Sequence, residues 1–255
     1  MRIVQFTDTH LIPTKNGKLY GIDTYASLRL AFTKAMDLAQ RPDAVFVTGD
    51  LTEDGARETY LRFKEIFEDS KLPVFVTPGN HDSIEVMKEV FAEGNIKVAF
   101  HAVFGEWVGI FLNSQAAGKA HGVITGDDMS AMEKVLSSAK GKSAVISFHH
   151  PPGSSCPAAG CKLKNADELA EFLRPYPEVK LILAGHLHMD VDQEYGNLRV
   201  LTSPSTFAQC VHPHVEQNAN LEDFWASHRL DHSRQGFRIV DFFSSGIFST
   251  ELCWF

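Results

Sequence analysis

Six short apolar runs limit what this chain can fold into: "RIVQF" (2–6), "AVFVT" (44–48), "PVFVT" (73–77), "VGIFLN" (108–113), "AVISF" (144–148) and "KLILA" (180–184). Most are continuous rather than alternating, the pattern of strands covered on both faces. Helical patterns lie between them. Leu28, Phe32, Ala35 and Ala39 share one helical stripe, as do Tyr60, Phe63 and Phe67, and Met129, Met132 and Leu136. "NADELAEFL" (165–173) reads as a helix with a polar start and an apolar stripe at Leu169, Phe172 and Leu173. This alternation, up to about residue 185, predicts an α/β layer fold. Beyond it, 198–206, 236–243 and 246–255 read as strands, the last two joined by a Ser-Ser-Gly turn. No internal repeat or linker interrupts the chain, so 1–255 reads as one domain whose part 189–255 completes a second sheet. The polar stretch 211–235 carries no assignment.

The residues at the end of each run are more specific than the runs themselves. The first run ends at Asp8-Thr9-His10, the second at Gly49-Asp50 and the third at Gly79-Asn80-His81-Asp82. The fifth leads to His149-His150-Pro151-Pro152 and the sixth to Gly185-His186-Leu187-His188. In open α/β sheets the carboxyl ends of the strands share one edge, where ligands bind. Five of the six runs therefore deliver Asp, Asn or His to one place. Singly these signals are weak, because Gly-Asp is a common turn and Asp-x-His occurs by accident. His-x-His is moderately specific, since alternate residues of an extended chain share a face. Taken together they form a donor set of carboxylates, an amide oxygen and imidazoles, with no Ser or Cys nucleophile. Mixed O and N donors suit Zn, Mn or Fe better than Ca or Mg. The donors exceed what one four-coordinate ion uses, whereas two ions sharing a carboxylate use them all. A structural zinc site, closed by four ligands and usually rich in Cys, fits poorly.

Composition narrows the function. Lys plus Arg number 24 against 32 Asp plus Glu, a formal charge of −8, which argues against binding a nucleic-acid polymer. A small anionic substrate stays compatible, because a metal site inverts the local field. No signal peptide is read at the start, and no run of about 18 apolar residues predicts a membrane span. Four cysteines, Cys156, Cys161, Cys210 and Cys253, are sparse for this length and suggest reduced thiols in the cytoplasm. Cys156 and Cys161 read as ordinary loop thiols, with a redox pair or an extra metal contact as the sharper alternative.

In this order, D-x-H, G-D, G-N-H-D, H-H-P-P and G-H-x-H resemble the calcineurin-like metallophosphoesterase superfamily. "GKLYGIDTYASLRLAF", "VTGDLTEDGARETY" and "LAGHLHMDVDQEYGNLRVLTSPST" are similar to its class III cyclic nucleotide phosphodiesterases, nearest to the bacterial 3',5'-cyclic AMP enzymes. The resemblance implies a four-layer αββα sandwich. It implies Asp8, His10 and His188 on one metal, Asn80, His149 and His186 on the other, and Asp50 bridging both. His81 corresponds to a histidine that stays off the metals and contacts the phosphate, and His150 to packing or support beside the ligands. Asn80, His81 and His188 are the implied substrate contacts. The implied reaction is hydrolysis of a small phosphodiester by a metal-bridging hydroxide, with cyclic AMP first and glycerophosphodiesters as the alternative. A scaffold that kept the fold without catalysis is a third reading, disfavoured because every ligand position is filled. The chain departs from the group in "GSSCPAAGCKLKN" after H-H-P-P and in Ser83-Ile84-Glu85 after G-N-H-D, both on the substrate side.

Smaller readings complete the set. Glu53 and Asp54 are candidates to orient His81, and Asp82 serves either the turn or the site. His212 and His214 flank Pro213 in a polar loop and read as surface residues, with lining the pocket as the alternative. His101 and His121 carry no role. Phe224 and Trp225 suit an adenine ring or a second subunit, which leaves a homodimer open.

Overall fold

The structure is a computed structural model that describes residues 1–14, 16–153, 162–210 and 230–255. Two six-stranded sheets face one another. The first comprises β1 (Arg2–Phe6), β2 (Ala44–Thr48), β3 (Val74–Thr77), β4 (Ile96–Lys97), β13 (Gly236–Phe242) and β14 (Phe248–Trp254), in the order β14-β13-β1-β2-β3-β4. The second comprises β5 (His101–Phe104), β6 (Trp107–Phe111), β7 (Ser143–Ser147), β8 (Val179–Ala184), β9 (Val191–Tyr195) and β10 (Leu198–Thr202), in the order β5-β6-β7-β8-β10-β9. A two-stranded ribbon, β11 (Gln209–Cys210) with β12 (Leu230–Asp231), lies apart from both. No helix among the described residues is long and apolar enough to cross a membrane.

The continuous apolar runs are explained by the layering. Along β2, Val45 and Val47 pack with α1 (Thr24–Met36), α2 (Arg57–Phe67) and α3 (Ile84–Val90), whereas Ala44 and Phe46 join the layer between the sheets. In the second sheet, Ile146 and Ile182 pack with α4 (Gly126–Ser138) and α5 (Ala166–Leu173), and Val145, Leu181 and Leu183 face the first sheet. The period of two is present but hidden, because both faces are buried. The inter-sheet layer is aromatic at its centre. Phe46 lies edge-on to Phe75 and Phe111 with centroids 5.8 and 4.9 Å away, and truncating it to Ala would cost about 3–5 kcal/mol. Polar pins also join the sheets. Gln5 Nε2 on β1 donates to Thr48 Oγ1 (3.0 Å) and across to Ala184 O on β8 (2.9 Å). The buried Arg238 guanidinium on β13 donates to Thr202 O on β10 at 2.7 Å.

The run β1-β2-β3-β4 is parallel, as is β6-β7-β8-β10, so the carboxyl ends of each set share an edge. One expectation changes. Of segment 189–255, only β9 and β10 extend the second sheet. β13 instead pairs antiparallel with the open side of β1, Ile3 opposite Val240, and β14 comes next to it in the first sheet. The side chains of β13 account for this: Phe237 and Ile239 face the helix layer, and Val240 and Phe242 face the inter-sheet layer. Cys156, Cys161 and residues 211–229, with His212, His214, Phe224 and Trp225, lie outside the described residues.

Candidate metal centre

The chain leaves β1 and β2 side by side. Asp8 N donates to Gly49 O and His10 N to Asp50 O, both at 3.0 Å. This carries the two loops past the sheet edge together. Asp8, His10, Asp50, His186 and His188 all have positive φ, between 43° and 70°. Non-glycine residues seldom occupy this left-handed region. Here it turns successive side chains inward. Gly79 answers a different need, since a Cβ there would collide with the Asp50 carboxylate.

Asp8 is fully buried, and its carboxylate accepts from Thr7 Oγ1 (2.7 Å) and from the His186 backbone N–H, 3.0 Å from each oxygen. Asp50 accepts from His81 N through Oδ1 (2.9 Å). Its Oδ2 lies 3.1 Å from His149 Nε2 and 3.7 Å from His10 Nε2, between the two groups. On one side, His10 Nε2 and His188 Nε2 are 3.1 Å apart, with Asp8 Oδ1 3.4 Å from the latter. On the other, His186 Nδ1 is 3.1 Å from His149 Nε2. Outer hydrogen bonds set the rings. His149 Nδ1–H donates to Thr48 O (2.8 Å), His188 Nδ1–H to Ala208 O (2.9 Å), and His10 Nδ1 faces Glu53 Oε2 (2.7 Å). Such partners commonly orient histidine ligands.

The field in the cluster is uneven. Burial raises the Asp8 carboxyl to about 6, against the pull of His149. For Asp50 burial is outweighed by His149 and His10, and its carboxyl falls well below the usual range. Burial opposes charge on His10 and His149 too, yet Glu53 and Asp50 carry His10 to about 9, and Asp50 and Asp8 carry His149 to about 9. His186 and His188 are held neutral by burial and by the neighbouring His149 and His10 respectively.

His81 differs from the histidine and aspartate ligand candidates in facing solvent, its side chain 34% exposed. Its Nδ1 lies 3.2 Å from Glu53 O and 3.6 Å from Glu53 Oε2. Glu53 therefore meets both His10 and His81, whereas Asp54 binds Ala56 N and Thr59 Oγ1 at the start of α2 and does not reach His81. Asp82 is resolved as a loop anchor. It accepts from Leu51 N, Thr52 N, Thr52 Oγ1, Gly79 N and Tyr60 OH, all within 3.2 Å. His150 rests against Ser114 Oγ at 2.8 Å.

The fourth apolar run, which delivers no ligand, contributes after all. Just past β6, Gln115 Nε2 donates to Gly79 O (2.6 Å) and Asp82 O (2.7 Å), closing the loop that carries Asn80 and His81. The polar "NSQ" after the apolar run was its only signal in the sequence.

These residues fit metal ions. One donor atom each from Asp8, His10 and His188, likewise from Asp8, Asp50 and His149, and from His149, His150 and His186, lie within 4.8 Å of one another. Asn80 Oδ1 and His186 Nε2 are buried without a hydrogen-bond partner, which costs about 1–3 kcal/mol per group unless something else satisfies them. A cation beside Asn80 would do so for the amide oxygen.

Parallel strand ends, paired sheets and a carboxylate–imidazole cluster define a metallophosphoesterase architecture, and residues 1–190 match the model of the calcineurin-like phosphoesterase family. The chain belongs to that family. Among its relatives, the 3',5'-cyclic adenosine monophosphate phosphodiesterase CpdA of Haemophilus influenzae is 30% identical over 255 residues, covering 99% of this chain and 89% of the relative. The CpdA of Pseudomonas aeruginosa is 32% identical over 210 residues, 81% and 76% of the two chains. A dimetal phosphatase from Danio rerio has the same fold, with a TM-score of 0.62 at 14% identity over 80% of this chain and 87% of that one.

Proposed function

We propose that the chain is a dinuclear-metal phosphodiesterase that hydrolyses 3',5'-cyclic AMP to AMP. The observation that carries the dinuclear reading is the position of the Asp50 carboxylate between His10 Nε2 and His149 Nε2. The choice of substrate is supported by the CpdA relatives, which align over nearly the whole chain. Asp8, His10 and His188 would hold one ion, Asn80, His149 and His186 the other, and Asp50 both. Fe, Mn and Zn suit this donor set. Two such ions, when bound, lower the pKa of water from ~15.7 to roughly 7 and offset charge on the phosphoryl oxygens.

The rest of the chemistry falls to side chains. His81 stands at the solvent side of the cluster, within reach of a phosphoryl or leaving oxygen. With Nδ1–H turned to the Glu53 carbonyl, the imidazolium form of His81 would carry on Nε2 the proton for the leaving alkoxide and be left neutral after giving it up. The Glu53 carboxylate, 3.6 Å from the same Nδ1, holds the ring in that orientation. Gln115 and Asp82 keep the loop of Asn80 and His81 fixed, so the donors need not reorganise as charge develops. A cytoplasmic location belongs to the same reading, supported by the free thiols of Cys210 and Cys253.

The test is a turnover panel of cyclic AMP, glycerophosphoethanolamine and AMP on manganese- or zinc-reconstituted protein, with His81→Ala beside it. Cyclic AMP should be the preferred substrate, and His81→Ala should lose about 10²-fold in rate while keeping both metals. Preference for the glycerophosphodiester would move the substrate. No turnover of any diester by protein carrying two metals would leave a non-catalytic scaffold.

A further inference from the structure

Three of the four buried ligand imidazoles have an outer partner that fixes which nitrogen faces the centre: Glu53 for His10, Thr48 O for His149 and Ala208 O for His188. His186 breaks the pattern. Its Nδ1 lies beside His149 Nε2, so Nδ1 is the atom turned to the centre. That leaves the proton on Nε2, which is buried and has no partner.

Beside it stands a second ring with the complementary deficiency. His150 is fully buried, with its centroid 4.7 Å from that of His186, and its Nε2 is also unpartnered. The other nitrogen of His150, Nδ1, is 2.8 Å from Ser114 Oγ. Ser114 Oγ also accepts the His150 backbone N–H at 3.3 Å. A hydroxyl has two acceptor sites and one proton of its own, so Ser114 can either accept from Nδ1 or donate to it. In the tautomer whose Nδ1–H donates to Ser114, His150 Nε2 carries a lone pair. Gly122 holds the ring in place, since a Cβ there would lie 2.6 Å from the His150 Cβ and Cγ. In that tautomer the two imidazoles, side by side but not hydrogen-bonded to each other in this structure, are a donor without an acceptor and an acceptor without a donor.

We propose that His150, held by Ser114, is the positioning residue that accepts the His186 Nε2–H and so fixes His186 as an Nδ1 ligand. This rests on the reading of His186 as a metal ligand. His150 does not touch substrate or metal in this role. It acts through His186, as Glu53 acts through His10, and loss of such a partner typically weakens metal affinity by about 10–100-fold.

Zinc, being diamagnetic, is the probe. Chelator competition should show one of the two zinc ions bound about 10–100-fold more weakly in His150→Phe, and more weakly by a smaller factor in Ser114→Ala. His150→Gln, which offers a carbonyl oxygen as acceptor, should recover much of the loss. Long-range ¹H–¹⁵N spectra of the zinc-loaded wild type should show His186 protonated at Nε2 and His150 at Nδ1. Thermal melts confirm that each variant is folded. If His150→Phe fails to fold, Ser114→Ala and the wild-type spectrum decide. Wild-type affinity at both sites in folded variants, His186 protonated at Nδ1, or a metal-ligand shift on His150 would each overturn the proposal. Wild-type protein that takes up no zinc at all would instead overturn the ligand reading beneath it.

Discussion

The Asp8–His10–His188 side of the centre and the Asn80–His149–His186 side stand on strand ends of the same two sheets, yet they are finished differently. On the first, Asp8 brings a full carboxylate and His10 is tied to a second one, Glu53. On the second, the only oxygen apart from the shared Asp50 is the neutral amide of Asn80. Two buried atoms of these residues without a hydrogen-bond partner, the Asn80 Oδ1 that faces the cation and the outer His186 Nε2, are both on this second side. Charge count tunes how tightly a site holds its cation. On the proposed assignment the difference would separate a firmly held ion from a more readily lost one, and would keep negative charge low on one side of the phosphorus.

Removing the shared carboxylate should break the comparison altogether. Asp50→Ala is expected to lose metal from both sides and activity by at least about 10³-fold, measured by elemental analysis and cyclic AMP turnover. Two metal equivalents with normal turnover would disprove the bridge. Asn80→Asp should erase the asymmetry. The weaker ion should bind about tenfold tighter while turnover falls roughly tenfold or more, because the added charge opposes that of the phosphoryl group. Tighter metal with unchanged turnover would show that the amide is not there for its neutrality.

Acidity sharpens the contrast further. In metal-free protein His10 and His149 keep protons up to about 9, so cations must displace them and loading strengthens as pH rises. Those protons also favour the metal-free fold. Their contribution is full below about 6.5, the ordinary imidazole value, and fades as pH rises through about 9. The gain in Tm on adding metal should widen between these values, read by melts with and without EDTA. A gain independent of pH would mean that neither ring sits on a cation. The smallest effect is expected at Gln115→Ala, which frees the Asn80–His81 loop. Each lost hydrogen bond is worth about 1 kcal/mol, so kcat should fall by roughly five- to tenfold with metal content kept. An unchanged kcat would make the clamp dispensable.

The sequence displayed what local order can display. β1, β2, β3, β7 and β8 could be read because their apolar runs stop at conspicuous polar residues, and those residues are the cluster. Pairings between distant segments were not legible. β13 reaches the open side of β1 across more than 230 residues, and nothing near either strand announces it. The short β4, β5 and α3 gave too few periods to stand out. Supporting residues were harder still. Ser114 and Gln115 act by two hydrogen bonds each on loops from other strands, and Thr48 and Ala208 act through backbone carbonyls, for which side-chain identity carries no signal. Asp82 looked like a turn residue or a member of the site. It is the anchor that binds one site loop to the other.

The five left-handed residues around the centre have a consequence for how such a chain evolves. Backbone in that region costs of order 1–3 kcal/mol per position for side chains other than glycine. Asp8→Gly or His10→Gly would relieve it at once, so a chain selected only for thermal robustness would drift away from these residues. On the proposed reading, the centre keeps them together at a cost to the fold.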